Sequence, residues 1–353
     1  MRVVIALSGG VDSAVAAGLL KEQGFDVIAM TLQLFDCTEQ INERSCCGPG
    51  GISAARSVAG ALDIPHYVID GKQVFEDQVL HSAWLNYRAG RTPNPCVACN
   101  ERMKFGLLFD FARKLGAERV ASGHHARIDD DGTLWRGVDR AKDQSYFLYA
   151  LRDEQRARAL LPIGALTKEQ VRTDARRLGL PVAERSESQD ACIAQRGDLA
   201  EALRQRFAGK ASPGAFVDLA GRVIGEHRGI HRYTVGQRKG LGLALGSRAY
   251  VVRIDAAQNQ VVVDTDERSL AVTSLEVSDL RWLAMDEVDG EAGVQVRYRQ
   301  QPQPATVERL SADRALVHFA EPPLGVSPGQ VAVFYRADKV IGGGVIERTS
   351  ADA

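Results

Sequence analysis

The stretch Val3-Val4-Ile5-Ala6-Leu7-Ser8-Gly9-Gly10-Val11-Asp12-Ser13 decides the fold. Its first five residues are an unbroken apolar, β-branched run of the kind that forms a strand buried on both faces. From residue 12 the pattern becomes helical and holds to residue 23, where Gly24 stops it. A strand that feeds a helix through Ser-Gly-Gly is a tight β–α turn. Two glycines let the backbone fold closely with its N–H groups facing into the loop, Ser8 and Ser13 add hydroxyls, and the helix N-terminus adds partial positive charge. Together these features make a phosphate-binding cradle. The Gly-Lys-Ser/Thr ending of a kinase-type loop is absent.

Outward from this turn the rhythm repeats. Strands are predicted at 27–32, 66–69 and 119–122, and helices at 51–62, 74–88 and 102–115. Alternation of this kind predicts a mostly parallel sheet with helices on both faces, running to about residue 205. Beyond Gly209 the texture changes to short period-two runs between Gly and Pro, at 215–219, 248–254, 260–264, 294–299, 315–319 and 331–335. They read as two small all-β units, joined across 273–289.

At 353 residues the chain has room for two or three domains. Lys+Arg is 44 against Asp+Glu 45, so any nucleic-acid partner must be met by a local basic patch. No run approaches the 18 apolar residues of a membrane span, and no secretory signal is expected ahead of the first strand. Six cysteines are too few for a disulfide scaffold. A reducing cytoplasm is the expected setting, and thiols there are catalytic or metal-binding more often than structural.

Three of those thiols draw attention. Cys96 and Cys99 follow a rigid Pro93-Asn94-Pro95 loop and precede a helix predicted to begin near Glu101. Arg102, Lys104 and the helix N-terminus favour the thiolate. Cys192 ends the polar run Ser186-Glu187-Ser188-Gln189-Asp190-Ala191. Cys37, Cys46 and Cys47 sit on a predicted loop and read as incidental. The loop from Ser8 to Ser13 resembles that of ATP-pyrophosphatases, which implies an adenylating ATPase, and with separated reactive cysteines this points to sulfur insertion. Adenylation turns a pyrimidine C2 oxygen into a leaving group. A persulfide sulfur on one cysteine attacks C2, and a second thiolate opens the S–S bond.

The loop from Ala6 to Ser13 resembles that of the ATP-pyrophosphatase superfamily. More specifically, the chain resembles the bacterial tRNA-specific 2-thiouridylase family along nearly its whole length. The resemblance is carried by Thr92-Pro93-Asn94-Pro95 with Cys99-Asn100, Gly123-His124-His125-Ala126-Arg127, Lys142-Asp143-Gln144-Ser145-Tyr146-Phe147 and Glu187-Ser188-Gln189-Asp190. It continues through Tyr233-Thr234-Val235-Gly236-Gln237-Arg238, Arg297-Tyr298-Arg299-Gln300, Pro328-Gly329-Gln330 and Gly342-Gly343-Gly344. It implies a Rossmann-like α/β ATP-pyrophosphatase domain (1–205), a small central domain (206–271) and a C-terminal β-barrel (272–353). ATP with Mg²⁺ would be held by Ala6, Leu7, Ser8, Gly9, Gly10, Val11, Asp12 and Ser13, with Leu32 and Gly123 lining the nucleotide site. Cys192 would carry the persulfide and Cys99 would attack it. Asn94, Pro95 and Cys96 would meet the target base. His124, Lys142, Asp143, Gln144, Arg297, Tyr298 and Gln330 would contact tRNA. A sulfur-donor protein would be a partner.

Position 96 departs from the pattern, since many family members carry Asp there as a general acid/base. With Cys96, a Cys-x-x-Cys plus Cys192 offers three thiolates and an open fourth position, which also suits a 4Fe–4S cluster. Both chemistries stay open, as does an ammonia-using adenylating ligase. Asp12 is expected to position magnesium and pyrophosphate. His124 is expected to touch nucleotide or RNA, with His125 structural. Asp129-Asp130-Asp131-Gly132 reads as a hairpin turn. The basic helix 172–177 is read equally as a solvated face or an RNA contact. Gln237-Arg238-Lys239 is read as an RNA-facing loop, and Tyr233 and Tyr298 as packing or stacking residues.

Overall fold

A computed structural model describes residues 1–35, 49–186, 199–284 and 290–350. Cys37, Cys46, Cys47, Cys192 and the run 187–190 lie outside the described residues. The chain forms two compact units, one of residues 1–79, 96–197 and 338–340, the other of 80–95, 198–337 and 341–353.

In the first unit β1 (Arg2–Ala6), β2 (Asp26–Gln33), β3 (His66–Asp70), β4 (Arg119–Ser122) and, later in the chain, Ala159–Leu160 form one parallel sheet. β1 lies between β2 and β4, with β3 outside β2 and 159–160 outside β4. The chain therefore winds one way from β1 to β3 and then crosses to the other side, which makes the β1/β4 boundary the switch point where ligands of such sheets bind. Val3, Val4 and Ile5 are wholly buried, as a central parallel strand requires. α1 (Val11–Glu22) buries Ala14, Val15, Ala16, Ala17 and Leu20 in the same core. Gly18 lets the neighbouring turn approach, because a Cβ there would stand 2.6 Å from Leu178 Cδ1. α2 (Pro49–Ala61) packs Ala55, Val58 and Ala59 into it. The hairpin of β5 (Ala126–Ile128) and β6 (Leu134–Arg136) turns through 129–132, with Gly132 at φ +82°, as read from the sequence.

In the second unit β8 (Gly214–Val217), β9 (Val223–His227), β10 (Tyr250–Asp255) and β11 (Gln260–Asp264) form a small sheet in the order β10-β11-β8-β9 (β7 being Ala159–Leu160). Its core holds Phe216, Tyr233, Val251, Val261 and Val263. Tyr233 packs edge-on against Phe216 and His227, so it is a core residue. Six further strands close a ring: β12 (Ser274–Trp282), β13 (Gly290–Gln295), β14 (Gln303–Arg309), β15 (Ala315–Phe319), β16 (Val331–Arg336) and β17 (Lys339–Ser350). Their order is β12-β15-β14-β13-β16-β17, with β17 pairing back to β12. The barrel is filled by Val277, Val294, Val307, Val317, Phe334, Ile341 and Ile346.

Some expected elements shift. The predicted join 273–289 contains a nine-residue strand, β12, because Leu275 and Val277 alternate into the barrel. The run 294–299 is not one strand: β13 ends at Gln295, and a turn follows with Gln300 N donating to Arg297 O and Arg299 at φ +71°. The helix expected to begin near Glu101 begins at Pro95, where proline suits the first helical position because it lacks an N–H. Cys96 and Cys99 therefore lie within helical turns, not ahead of them. Residues Cys99–Leu107 are wound as a π-helix, and so are Glu76–Leu80 within the predicted helix 74–88. π turns are rare and concentrate at functional sites. Gly342-Gly343-Gly344 lies in β17 beside a register shift opposite Ser278/Arg281.

Candidate functional site

The end of β1, the turn 8–10 and the start of α1 form a closed loop. Ser8 N donates to Ser13 Oγ at 3.2 Å, the two hydroxyls lie 3.1 Å apart, and Ser13 Oγ donates to Gly10 O at 3.1 Å. Gly10 sits at the N-cap with extended backbone, and no side chain caps it. The first-turn amides thus remain available to an anion. Two glycines are demanded by proximity. Gly9 has φ +73°, and a Cβ there would overlap Gly51 O at the start of α2. A Cβ on Gly123 would overlap Ser13 N and stand 2.6 Å from Asp12 C. The end of β4 therefore lies directly against the loop. Leu32, near the end of β2, is buried and pairs with Ile69 of β3.

The charges around this loop are compensated. Asp12 Oδ1 accepts from Lys168 Nζ at 2.5 Å and from His125 Nε2 at 3.3 Å. Burial pushes the Asp12 carboxyl up, but the hydrogen bond from His125 and the charge of Lys168 outweigh it and hold the group below its ordinary range. His124 points elsewhere. Its Nδ1 lies 2.7 Å from Ser122 Oγ and its Nε2 3.4 Å from Lys104 Nζ. An ammonium can only donate, so Nε2 accepts and Nδ1 carries the proton. Burial, aided by the charge of Lys104, holds the His124 imidazole well below its usual value and keeps it neutral. The adjacent histidines thus diverge, His125 toward Asp12 and His124 toward Ser122. Arg185 donates to Gly9 O at 2.9 Å, which fixes the chain just before the segment bearing Cys192.

Lys168, Ser122 and Arg185 were not found by sequence reasoning, and Lys104 was read beside the cysteines and not beside His124. A signal existed for Lys168. Thr167 and Gln170 form a capping box, with Gln170 N donating to Thr167 Oγ and Thr167 N to Gln170 Oε1. That box starts the helix Lys168–Arg177 and delivers Lys168 to the loop. The arginines of the same helix are engaged: Arg177 pairs with Glu22 and Asp174, Arg176 with Glu184, and Arg172 donates to Ala183 O.

Cys96 and Cys99 are half-buried, three residues apart and hence on one face of their helix. The cations expected to activate them are directed elsewhere. Arg102 donates to Gln78 O at 2.6 Å, and Lys104 reaches His124. Asn100 is buried, with Nδ2 3.4 Å from Phe147 O.

Among the residues assigned to tRNA, Asp143 is buried and its carboxylate is filled from within. It accepts from Arg136 Nε at 2.8 Å, Gly137 N at 2.9 Å, and both Ser145 N and Oγ at 3.1 Å. Its carboxylate shapes the loop and is not presented to RNA. Gln144 Oε1 accepts from His125 N at 3.0 Å. In the second unit Gln330 Nε2 donates to Thr92 O at 3.0 Å, while Thr92 N donates to Pro328 O at 2.8 Å. Gln330 thereby braces the loop that carries Asn94. Arg297 donates to Val235 O at 3.1 Å and to Gly325 O, and with Thr234, Gln237, Ser327 and Gln330 it lines a cleft of about 400 Å³. Tyr298 carries the Arg299 guanidinium over its ring.

Among the described residues, no helix is long and apolar enough to cross a membrane.

Residues 1–196 match the family described as "tRNA methyl transferase HUP domain", 202–265 the "tRNA methyl transferase PRC-barrel domain", and 272–346 the "Aminomethyltransferase beta-barrel domain". The chain is 46% identical to the "tRNA-specific 2-thiouridylase MnmA" of Carboxydothermus hydrogenoformans, over 98% of each protein. It is 45% identical to the protein of the same name from Pelotomaculum thermopropionicum, over 99% of this chain and 98% of that one. Against its namesake from Geobacter metallireducens the identity is 45%, over 98% and 96%. With the ATP-type loop at the sheet's switch point, the small β unit and the six-stranded barrel all in place, this chain belongs to the tRNA-specific 2-thiouridylase family.

Proposed function

We propose that the chain transfers sulfur to C2 of the wobble uridine of tRNA in an ATP-dependent reaction, with residues 1–205 as the catalytic part and 206–271 and 272–353 holding the RNA. The observation that carries this reading is the closed Ser8–Ser13 loop pressed against Gly123, in a chain similar over its whole length to 2-thiouridylases. ATP supplies the adenylyl group that activates the uracil oxygen. The loop amides and Ser8 bind its phosphates. Asp12, paired with Lys168 in this structure, would be the loop's oxygen ligand for a magnesium ion carried with the pyrophosphate, and Lys168 would then meet the phosphates.

The sulfur arrives as a persulfide on Cys192, delivered by a donor protein. Its terminal sulfur forms a bond to C2 as AMP departs with the oxygen. The Cys99 thiolate then attacks Cys192 Sγ, the S–S bond to the uracil sulfur breaks, and that sulfur leaves with the electron pair as the thiocarbonyl. A Cys99–Cys192 disulfide remains, and an external dithiol must reduce it. Neutral His124, unable to compete for protons near pH 7, is suited to contact RNA or nucleotide without adding charge.

A second reading is favoured by Cys96 itself. With a thiol in place of the family's common Asp, and on the same helical face as Cys99, the pair together with Cys192 would ligate a 4Fe–4S cluster. One experiment separates the two. The protein is purified anaerobically, assayed for iron and sulfide, and tested for 2-thiouridine by nucleoside mass spectrometry as wild type, Cys99→Ser and Cys96→Asp. Persulfide chemistry gives no iron, loss of product in Cys99→Ser and retained product in Cys96→Asp. Iron together with inactivity of Cys96→Asp supports the cluster. Product formation by Cys99→Ser at the wild-type rate refutes both.

A further inference from the structure

A second glycine-rich segment lies far from the phosphate loop in sequence and contains Gln237-Arg238-Lys239, read above only as an RNA-facing loop. Residues 227–254 include Arg228, Arg232, Arg238, Lys239, Arg248 and Arg253 and not one Asp or Glu. This concentration stands out in a chain whose net charge is −1. Two of the six are compensated from outside the segment, Arg232 by Glu201 and Arg253 by Asp255. Arg238, Lys239 and Arg248 are exposed and have no carboxylate partner among the described residues. Three cations elsewhere in the same unit are paired, Arg222 with Asp218, Arg268 with Asp266 and Arg204 with Glu201.

The backbone between them is arranged to match. Leu241 is buried in the core of the small sheet, and Leu243 and Leu245 pack against that core. The alternate positions Gly240, Gly242 and Gly246 take φ of +75°, +71° and +69°, and a Cβ on any of them would meet nothing within 4 Å. The loop is thus pegged by leucines on one side and bare on the other. Arg238 and Arg248 line one recess of about 340 Å³, together with Gly240, Gly242 and Ser247. Bare backbone flanked by paired guanidinium groups allows close approach of a tetrahedral anion, and guanidinium forks match phosphate oxygens. No aromatic side chain or carboxylate lines the recess, so no ring is there to stack on a base.

We propose that this loop is a clamp for the phosphodiester backbone of RNA, built from Arg238, Lys239 and Arg248 and indifferent to base sequence. The proposal rests on the tRNA reading above. A phosphate clamp acts through counterion release, so its mark is the dependence of affinity on salt.

The test is filter binding of unmodified substrate tRNA and of a non-substrate tRNA between 50 and 300 mM KCl. It compares wild type, the triple variant Arg238→Gln/Lys239→Gln/Arg248→Gln, and a control, Arg176→Gln/Arg177→Gln, whose cations are already paired. Each lost contact lowers the slope of log K against log salt by about 0.7–0.9, so the triple variant is expected to fall by about 2–2.7, equally for both RNAs. The control is expected to keep the wild-type slope. A wild-type slope in the triple variant overturns the clamp, and so does a loss confined to the substrate tRNA. Unchanged RNA affinity with slowed sulfur delivery from a persulfide donor protein assigns the patch to that partner and also overturns it. Failure of the wild type to bind any tRNA removes the parent reading along with the clamp, whereas a failure of the clamp alone leaves wild-type binding and thiolation intact.

Discussion

The two glycine-rich loops, at 8–13 and at 236–246, use the same residue for opposite reasons. In the first, glycine is required because something is close: Gly51 O presses on Gly9, and Ser13 N on Gly123. In the second, Gly240, Gly242 and Gly246 have open space around them and are required only by backbone angle. Charge follows the same division. Asp12 and Lys168 neutralise each other beside the first loop, with His125 bonded to the same carboxylate, whereas Arg238, Lys239 and Arg248 are exposed around the second with no carboxylate partner among the described residues. Glycine density alone therefore separates nothing. What occupies the place of the missing Cβ tells an internal catalytic cradle from a surface that waits for a partner.

The largest effect that would break this comparison belongs to Gly123→Ala. The new methyl group meets backbone on every near side, so it cannot be relieved by a side-chain rotation. Loss of tRNA-dependent ATP–pyrophosphate exchange by at least about 100-fold is expected, with about 3 kcal/mol lost in urea denaturation. Exchange at the wild-type rate would show that the loop and β4 are not the nucleotide site.

An intermediate effect concerns acid. His124 is held neutral in the fold, while in the unfolded chain it protonates near its ordinary value of about 6.5. The folded state thus binds fewer protons, and the stability that His124 allows is full above about pH 6.5 and drains as pH falls below it. Asp12, whose folded value is depressed, adds stability that is present above about pH 4 and lost only in stronger acid. Urea midpoints between pH 5 and 7.5 should fall toward pH 5 in wild type and stay flatter in His124→Asn. Equal slopes in both proteins would contradict the burial of a neutral imidazole.

The smallest effect is Gly242→Ala. With nothing to strike, the substitution bears only the cost of a left-handed backbone, about 1–2 kcal/mol. Thermal denaturation that shifts as far as for Gly123→Ala would erase the distinction between the loops.

Much of this was legible in the sequence because its causes are local. The apolar run into Ser-Gly-Gly specifies strand, turn and helix by itself, and the alternation 260–264 or 331–335 specifies half-buried strands. What escaped depends on distant residues. Pro95 could be read as the end of a loop or the start of a helix, and only the packed structure selects the second. The π winding of Cys99–Leu107 leaves no mark in hydrophobic spacing. Lys168 pairs with a carboxylate 156 positions away, and no local pattern announces that pairing. Asp143 was assigned to RNA through the family resemblance, which does not reveal that Arg136 and three further donors hold its carboxylate inside.

The bond from Gln330 to Thr92 spans 238 residues. Arg91 and Glu347, bonded through 2.9 and shorter contacts, span 256. At ribosomal speeds of 5–20 residues per second, the loop bearing Asn94 waits about 10–50 s after its own synthesis for the strand that braces it. A nascent or truncated chain could complete the turn 8–13 while the loop bearing Asn94 still lacks its braces. The order of synthesis thus leaves the loop bearing Asn94 without its braces until Gln330 and then Glu347 have been made.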